Sequence, residues 1–177
     1  MFVRLSLGVV TAFLAAGMVL AGEESTSTSI VGTESASIAA GVKGAWKITE
    51  VWSRSRGGAW TAGATPYLSI YMFTDKHYSY MFAPGREPRR LFAGGPSQPT
   101  NAEKVAAYDT FVAGSGTYSL TGSTLMLTAI LHKNPNEMTG HPLKYSVELD
   151  DNTLRMTIDN PPFAPGVERR TVLTRIE

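Results

Sequence analysis

The chain has 177 residues, with 16 lysines and arginines against 15 aspartates and glutamates, and it has no cysteine. This near-zero charge argues against nucleic acid and anionic membrane surfaces as partners, because both attract a positive excess. The absence of thiols excludes disulfides and a lipid-modified cysteine, so a packed core has to stabilise the fold.

The N-terminus predicts an export signal. Arg4 precedes an apolar run at 5–20, and Val19-Leu20-Ala21 fits a small-residue cleavage site. The run is shorter than the roughly 20 residues that a membrane span needs. We therefore expect a signal peptide at 1–21, a periplasmic or extracellular location, and no membrane insertion after cleavage.

Two further segments follow the signal. Residues 22–40 are rich in Ser, Thr and Ala, a composition that predicts a flexible leader because it offers little apolar surface to bury. Residues 41–177 match the common size of one domain.

Alternating apolar and polar residues predict eight short strands in this domain. They cover residues 46–52, 67–73, 77–82, 117–120, 124–132, 143–149, 154–158 and 168–176. Short turns in chain order favour an all-β, antiparallel up-and-down barrel, because closure removes exposed edges. An open sandwich is the alternative. An eight-stranded barrel has an interior that side chains fill or that holds one small ligand.

One helix is predicted between the third and fourth strands, at 101–112. Thr100 and Glu103 have the spacing of a capping box, and Gly114 is placed to end the helix. Its apolar face would consist of Val105, Tyr108 and Val112.

The stretch at 83–99 has no periodicity and contains four prolines and three glycines. Connections of this length are usually lids, binding loops or disordered segments. Leu91 and Phe92 are large apolar side chains between two polar stretches of this loop. We therefore expect these two residues to fold over one end of the barrel.

Three features resemble the bacterial lipocalin-like domain family of the calycin superfamily, over 41–177. Gly44-Ala45-Trp46 matches the Gly-x-Trp opening of the first strand, and Gly116-Thr117-Tyr118 resembles the Gly-x-Tyr start of the strand after the helix. Arg175 stands where calycins place the arginine that packs across the opening tryptophan. The resemblance implies a structural role for Gly44, Trp46 and Arg175. The helix departs from true lipocalins, whose main helix follows the last strand, and the heme-binding barrels' glycine repeat and histidine are missing.

The aromatic residues of the predicted barrel favour binding of a small apolar or amphipathic molecule, since their rings supply apolar contact and their hydroxyls fix orientation. The candidate ligand-binding residues are Trp60, Tyr71, Phe73, Tyr80, Phe92, Tyr118 and Tyr145. The alternative is a structural or interaction barrel whose interior is filled by these same rings.

Signatures of cofactor-dependent enzymes are missing from the sequence, which has no nucleophile elbow, phosphate loop or dinucleotide fingerprint. We expect no cofactor. The catalytic alternative is a cofactor-independent cyclase or isomerase acting on an apolar substrate, with Glu50, Asp109 and His132 as candidate acids or bases. His132 and His141 flank one loop and are weak metal candidates, with Glu137 the nearest third ligand. We expect ordinary surface histidines and no metal.

Overall fold

The structure is a computed structural model that describes residues 38 and 40–177. The predicted signal peptide and residues 22–37 of the predicted leader lie outside the described residues. The strands are β1 (Gly44–Ser55), β2 (Thr61–Ala62), β3 (Leu68–Phe73), β4 (His77–Ala83), β5 (Val112–Thr121), β6 (Thr124–His132), β7 (Leu143–Asp150), β8 (Thr153–Asp159) and β9 (Val167–Arg175). Helix α1 (Asn101–Asp109) lies between β4 and β5, and a short 3₁₀ turn (Pro135–Glu137) lies between β6 and β7.

Eight of these strands form a closed antiparallel barrel, as the sequence predicts. Each pairs with its neighbour in chain order, and β1 also pairs with β9, which excludes an open sandwich. The additional strand β2 pairs with Trp52 and Ser53 at the end of β1. Two residues are too few to show an alternating pattern, so the sequence does not predict β2. Because β2 adds a strand to the count, the helix lies between β4 and β5 and not between the third and fourth strands; β4 and β5 are the strands predicted at 77–82 and 117–120.

Helix α1 is held by its cap rather than by an apolar face. The Thr100 hydroxyl accepts from the Glu103 N–H, and the Glu103 carboxylate accepts from the Thr100 N–H at 2.7 Å. The helix ends at Asp109 instead of 112, and Val112 already belongs to β5. Val105 and Tyr108 are 61% and 50% exposed, so the predicted stripe does not face the core. None of the described residues of the chain forms a helix long and apolar enough to cross a membrane.

A filled core occupies the end of the barrel where tight turns join the strands, and we call it the floor. Its fully buried side chains include Trp46, Leu125, Leu154 and Leu173. The segment before β1 covers this end, because Val42 is fully buried and its carbonyl accepts from the Trp46 indole N–H at 2.9 Å. Ile38, within the predicted leader, packs against the same core, so the packed structure begins before residue 41.

The predicted contact between Trp46 and Arg175 is confirmed. The two residues are paired across β1 and β9, and the Arg175 guanidinium lies 4.1 Å from the centroid of the indole ring. Arg175 also donates to the carbonyls of Gly41 and Lys43. Gly44 has φ +123°, and a Cβ there would collide with the Glu177 carbonyl and the Arg175 guanidinium. Only glycine fits this close approach, so Gly44 lets the chain end and the Arg175 guanidinium lie against the start of β1.

The barrel wall is unevenly paired around its circumference. Three residue pairs join β1 to β3, between Gly44–Trp46 and Tyr71–Phe73, whereas nine join β1 to β9. Above this short ladder the Ile48 N–H donates to the Ser69 hydroxyl at 2.8 Å. The rest of β1 faces β2 on that side. We call this stretch the β1–β3 seam.

Candidate ligand-binding site

Four tyrosines line the barrel interior above the floor. Tyr71 lies on β3, Tyr78 and Tyr80 on β4, and Tyr145 on β7, and all four belong to or pack against the buried core. Tyr71 and Tyr80 are paired across their strands and stack with ring centroids 4.8 Å apart. Tyr78 and Tyr80 stack at 6.0 Å. Because alternate residues of a strand point to one face, this wall of phenol rings faces the space that the strands enclose.

Three of these tyrosines, Tyr71, Tyr78 and Tyr145, have hydroxyl groups without a hydrogen-bond partner among the described residues. Tyr71 and Tyr78 are 9% and 4% exposed. Every fully buried side-chain nitrogen or oxygen of the described residues has a partner. The three hydroxyl oxygens therefore still reach space that a water molecule can enter. A polar group placed in that space would find hydroxyl donors among apolar rings.

The same tyrosines remain protonated at neutral and moderately alkaline pH. Burial raises the pKa of Tyr71, Tyr80 and Tyr145 well above the ordinary value of 10.0, because the phenolate would lose its hydration. Neighbouring tyrosine hydroxyls act in the same direction on the pKa of each. The site therefore presents neutral hydrogen-bond donors rather than phenolates.

A hydrogen bond between Tyr80 and His132 spans the strand that lies between them. The Tyr80 hydroxyl lies 2.8 Å from the His132 Nε2 atom. Both residues are paired with Gly114 of β5, one on each side. A Cβ at Gly114 would lie 2.5 Å from the His132 ring and 2.9 Å from the Tyr80 ring. The missing side chain is what allows the two rings to meet, so Gly114 positions this pair instead of ending a helix.

The other ring nitrogen of His132 meets the backbone of the following loop. His132 Nδ1 lies 3.0 Å from the Asn134 nitrogen and 3.1 Å from its carbonyl oxygen. With Nδ1 accepting, Nε2–H donates to Tyr80 and leaves the phenol hydrogen free to point elsewhere. With Nδ1–H donating to the carbonyl, Nε2 accepts the phenol hydrogen instead. Both tautomers fit the geometry, so the direction of the Tyr80–His132 hydrogen bond follows from which ring nitrogen carries the hydrogen.

Arg169 brings a positive charge to the same space, and the sequence analysis did not single it out. It is paired with Ser53 of β1 and Ile158 of β8. Leu173, four residues further along β9, is fully buried, and residues an even number apart lie on the same face of a strand, so Arg169 faces the interior. Its guanidinium makes no hydrogen bond or ion pair with the described residues and lies 5.7 Å from the Phe163 ring. The sequence could have indicated this, because Arg169 is an even number of residues from Leu173 on the same strand and so lies on the same face.

The seven predicted ligand-binding residues separate into three groups. Tyr71, Tyr80 and Tyr145 come together in the wall described above. Phe73 belongs to the same buried cluster and stacks on Tyr71 at 6.3 Å. Its ring also meets that of Tyr118 edge to face at 5.4 Å, and the Tyr118 hydroxyl donates to the Thr74 carbonyl at 2.6 Å, so this hydroxyl is already satisfied.

Trp60 and Phe92 lie outside the barrel. The Trp60 ring is held between the guanidiniums of Arg54 and Arg170, each 4.5 Å from its centroid, on outward-facing positions of β1 and β9. Phe92 lines a groove of about 1010 Å³ between its own loop and α1. Leu91 is 93% exposed. The predicted cover of Leu91 and Phe92 over the barrel end is therefore not observed, because this loop packs on the helix.

The candidate catalytic and metal-binding residues do not converge. Glu50 is exposed on the outer face and accepts from the Trp52 indole N–H at 2.7 Å, and Asp109 is exposed at the end of α1. His141 is exposed too, so only His132 faces the interior. The described residues contain no group of three His, Asp or Glu side chains able to hold a metal ion.

The barrel is similar in structure to lipocalin-like proteins. A lipocalin-like protein from Bacteroides uniformis matches with a TM-score of 0.42 and 15% sequence identity, over 76% of this chain and 97% of that one. An uncharacterised protein from Bacteroides eggerthii matches with a TM-score of 0.40 and 12% identity, over 75% of this chain and 98% of that one. No protein-family model and no curated protein matches the chain.

Proposed function

We propose that this protein is an exported lipocalin-like barrel that binds one small amphipathic molecule in its interior, above the floor. The observation that carries the proposal is the set of unpartnered hydroxyls on Tyr71, Tyr78 and Tyr145, within a wall of aromatic rings. Buried polar groups are normally satisfied by the protein itself. Three such groups left without a partner among the described residues favour a partner from outside the chain.

The division of the barrel into two halves supports the same proposal. The floor is closed by Trp46 and its neighbours and needs no further contact. Above it the side chains are mixed, with phenol hydroxyls, an imidazole and a guanidinium among apolar surfaces. Small-molecule sites have this character, with mostly apolar walls and a few polar groups that orient the ligand. A purely structural barrel would gain stability from apolar filling at these positions.

Uptake of a neutral fluorescent probe tests the proposal. Phenylnaphthylamine should bind the mature protein saturably, at one molecule per chain, with enhanced emission. Ser53→Phe places a ring in the inward layer that also holds Arg169, and we expect it to weaken probe binding at least about tenfold. Lys47→Phe adds the same ring on the exposed outer face of β1 and serves as the matched control.

The outcomes separate this function from the filled-barrel alternative. Loss of binding in Ser53→Phe, with the control unchanged, supports an interior site. Binding that both variants leave intact would place the probe elsewhere and contradict the proposal. Native mass spectrometry of protein isolated from its own host would then give the mass of the natural ligand. Export is tested separately, by N-terminal sequencing of the mature protein in the periplasmic and extracellular fractions, where cleavage after Ala21 is expected.

A second candidate function rests on the Tyr80–His132 hydrogen bond. A neutral phenol held by an imidazole is a suitable hydrogen-bond donor to a substrate oxygen in a cofactor-independent isomerase or cyclase. Such an enzyme would convert a compound in a host lipid extract without changing its mass, which chromatography with mass detection would reveal. Tyr80→Phe and His132→Gln should abolish the conversion while the probe still binds. An extract that the wild-type protein leaves unchanged would contradict this second function.

A further inference from the structure

Arg169 is an inward-facing cation without an anionic partner among the described residues. On the outer face at the same end of the barrel, Arg54 lies 2.6 Å from Glu168 and Arg56 lies 3.3 Å from Asp159. Arg170 has no acidic partner there, but it donates to the Thr157 hydroxyl and stacks on the Trp60 ring. Among the described residues, the Arg169 guanidinium has a ring contact with Phe163 and no hydrogen bond. A guanidinium held within a protein wall loses hydration, and an anion restores most of that loss. An anion from outside the chain would therefore be favoured beside this inward-facing charge.

Tyr71, Tyr145 and Arg169 occupy inward positions of three strands of the same barrel, β3, β7 and β9. Burial raises the pKa of Tyr71 and of Tyr145, and the positive charge of Arg169 acts in the opposite direction on both. Glu137 acts in the direction of a raised pKa on Tyr80 and Tyr145.

We propose that Arg169, together with the hydroxyls of Tyr71 and Tyr145, binds the carboxylate head group of an amphipathic ligand. The guanidinium fork matches the two oxygens of a carboxylate, and each tyrosine adds one neutral donor. The apolar body of the ligand then lies against the rings of Tyr80 and Phe82, which stack at 6.2 Å. This inference rests on the proposed binding function and names its ligand class.

Calorimetric titration with three amphiphiles of one chain length tests the inference. Dodecanoate, dodecanol and dodecyltrimethylammonium differ only in the charge and shape of the head group. Below their micellar concentrations, dodecanoate should bind the wild-type protein about tenfold or more tightly than dodecanol, as expected for charge-assisted hydrogen bonds. Arg169→Met should remove this preference and leave dodecanol affinity unchanged, and Arg169→Lys should restore part of it.

The control variant is Arg155→Met, which changes the same side chain on the outer face of β8, where Arg155 is paired with Glu148 and Val172. Its dodecanoate affinity should equal that of the wild type. If Arg169→Met does not fold, as judged by circular dichroism, the double variant Tyr71→Phe with Tyr145→Phe gives the same test. That variant should lower dodecanoate affinity and spare dodecanol.

The possible results separate this inference from the function on which it rests. Equal affinities for dodecanoate and dodecanol, unaffected by Arg169→Met, would overturn the head-group assignment and leave interior binding intact. Tighter binding of the ammonium compound would also overturn it, and would point to Glu137. Failure of all three amphiphiles and of phenylnaphthylamine to bind would overturn both proposals.

Discussion

Tyr80 and His132 form a 2.8 Å hydrogen bond across the backbone of a strand that belongs to neither of them. The residue between them in register is Gly114, and the space where its side chain would stand is filled by their two rings. A glycine inside a strand ordinarily weakens it. Here the glycine permits a contact between residues two strands apart, and this contact ties the aromatic wall to the rim of the barrel.

Replacing Gly114 by alanine should break this contact. The new methyl group would have to displace the imidazole, the phenol or both, at a cost of about 1–3 kcal/mol in the free energy of unfolding. Urea denaturation measures that cost, and the side-chain NMR signals of His132 report the loss of the hydrogen bond. Ser115→Ala, on the opposite face of the same strand, should change neither. An unshifted His132 spectrum in Gly114→Ala would contradict the proposed spatial role of the glycine.

The Trp46–Arg175 pair should dominate the stability of the floor. Trp46→Ala is expected to lower the free energy of unfolding by about 3–5 kcal/mol, as a large-to-small change at a fully buried site. Arg175→Met should cost about 2–4 kcal/mol, because it removes a cation–π contact and hydrogen bonds to the carbonyls of Gly41 and Lys43. The double variant should be less destabilised than the two single effects together, since the residues touch. Strict additivity would mean that the two side chains act independently.

The buried tyrosines predict a loss of stability at alkaline pH. In the folded state the pKa of Tyr71, Tyr80 and Tyr145 is raised above the ordinary 10.0, so the folded protein binds these protons more tightly than the unfolded chain. The stabilisation is complete below pH 10 and declines as the pH rises above that value toward the folded-state pKa. Urea midpoints measured from pH 8 to 11.5 should show this decline.

Removing one buried phenol should make the alkaline decline shallower. Tyr145→Phe takes away one proton that the folded state holds more tightly, whereas Tyr67→Phe changes a tyrosine that is 49% exposed. Absorbance of tyrosinate gives an independent measure, since the wild type should ionise part of its tyrosines only on unfolding. Complete ionisation near pH 10 without unfolding would contradict the buried arrangement.

Glu103 should hold the loop at 84–99 against α1. Its carboxylate accepts from the backbone N–H groups of Ala93 and Thr100, at 2.8 and 2.7 Å, and these bonds lower its pKa. Glu103→Ala is therefore expected to speed amide hydrogen exchange at Ala93, Thr100 and the first turn of α1, with the barrel strands unaffected. Glu87→Ala removes a carboxylate from the same loop and is the control.

Acid should act in the same direction as this substitution. Because the folded-state pKa of Glu103 lies below its ordinary 4.5, its contribution is present above that value and is lost as the pH falls through the folded-state pKa. Exchange at Ala93 that is equally fast in wild type and Glu103→Ala at neutral pH would show that the tether does not form.

The sequence predicted most of the barrel because strands, turns and helix caps depend on residues that are close together in the chain. Strands such as β6 and β8 alternate apolar and polar residues, and the capping residues Thr100 and Glu103 begin the helix where expected. What failed depends on tertiary contacts. The apolar residues of α1 were taken as a core face, yet α1 buries none of its side chains, because its cap and its loop already fix it in place.

The candidate site was only partly predictable for a similar reason. Tyr71, Tyr80 and Tyr145 are aromatic residues of predicted strands, so composition was enough to nominate them, and their part in binding stays a prediction. Trp60 is an aromatic residue nominated by the same criterion, but it lies outside the barrel, between two arginines. The surroundings of Arg169 and Gly114 are formed by residues of other strands. Such contacts between distant parts of the chain cannot be predicted from one stretch of sequence.

The β1–β3 seam gives the barrel a preferred line of mechanical failure. Three residue pairs and the Ser69 hydroxyl hold the two strands together there, while β1 stays bonded to β9 along nine pairs. Under tension or during a large thermal fluctuation, the wall should split along this line and relax into a curved open sheet. Such a split also has to release the segment that covers β1 on that side, where Gly63 and Thr65 donate to the carbonyls of Val51 and Thr49.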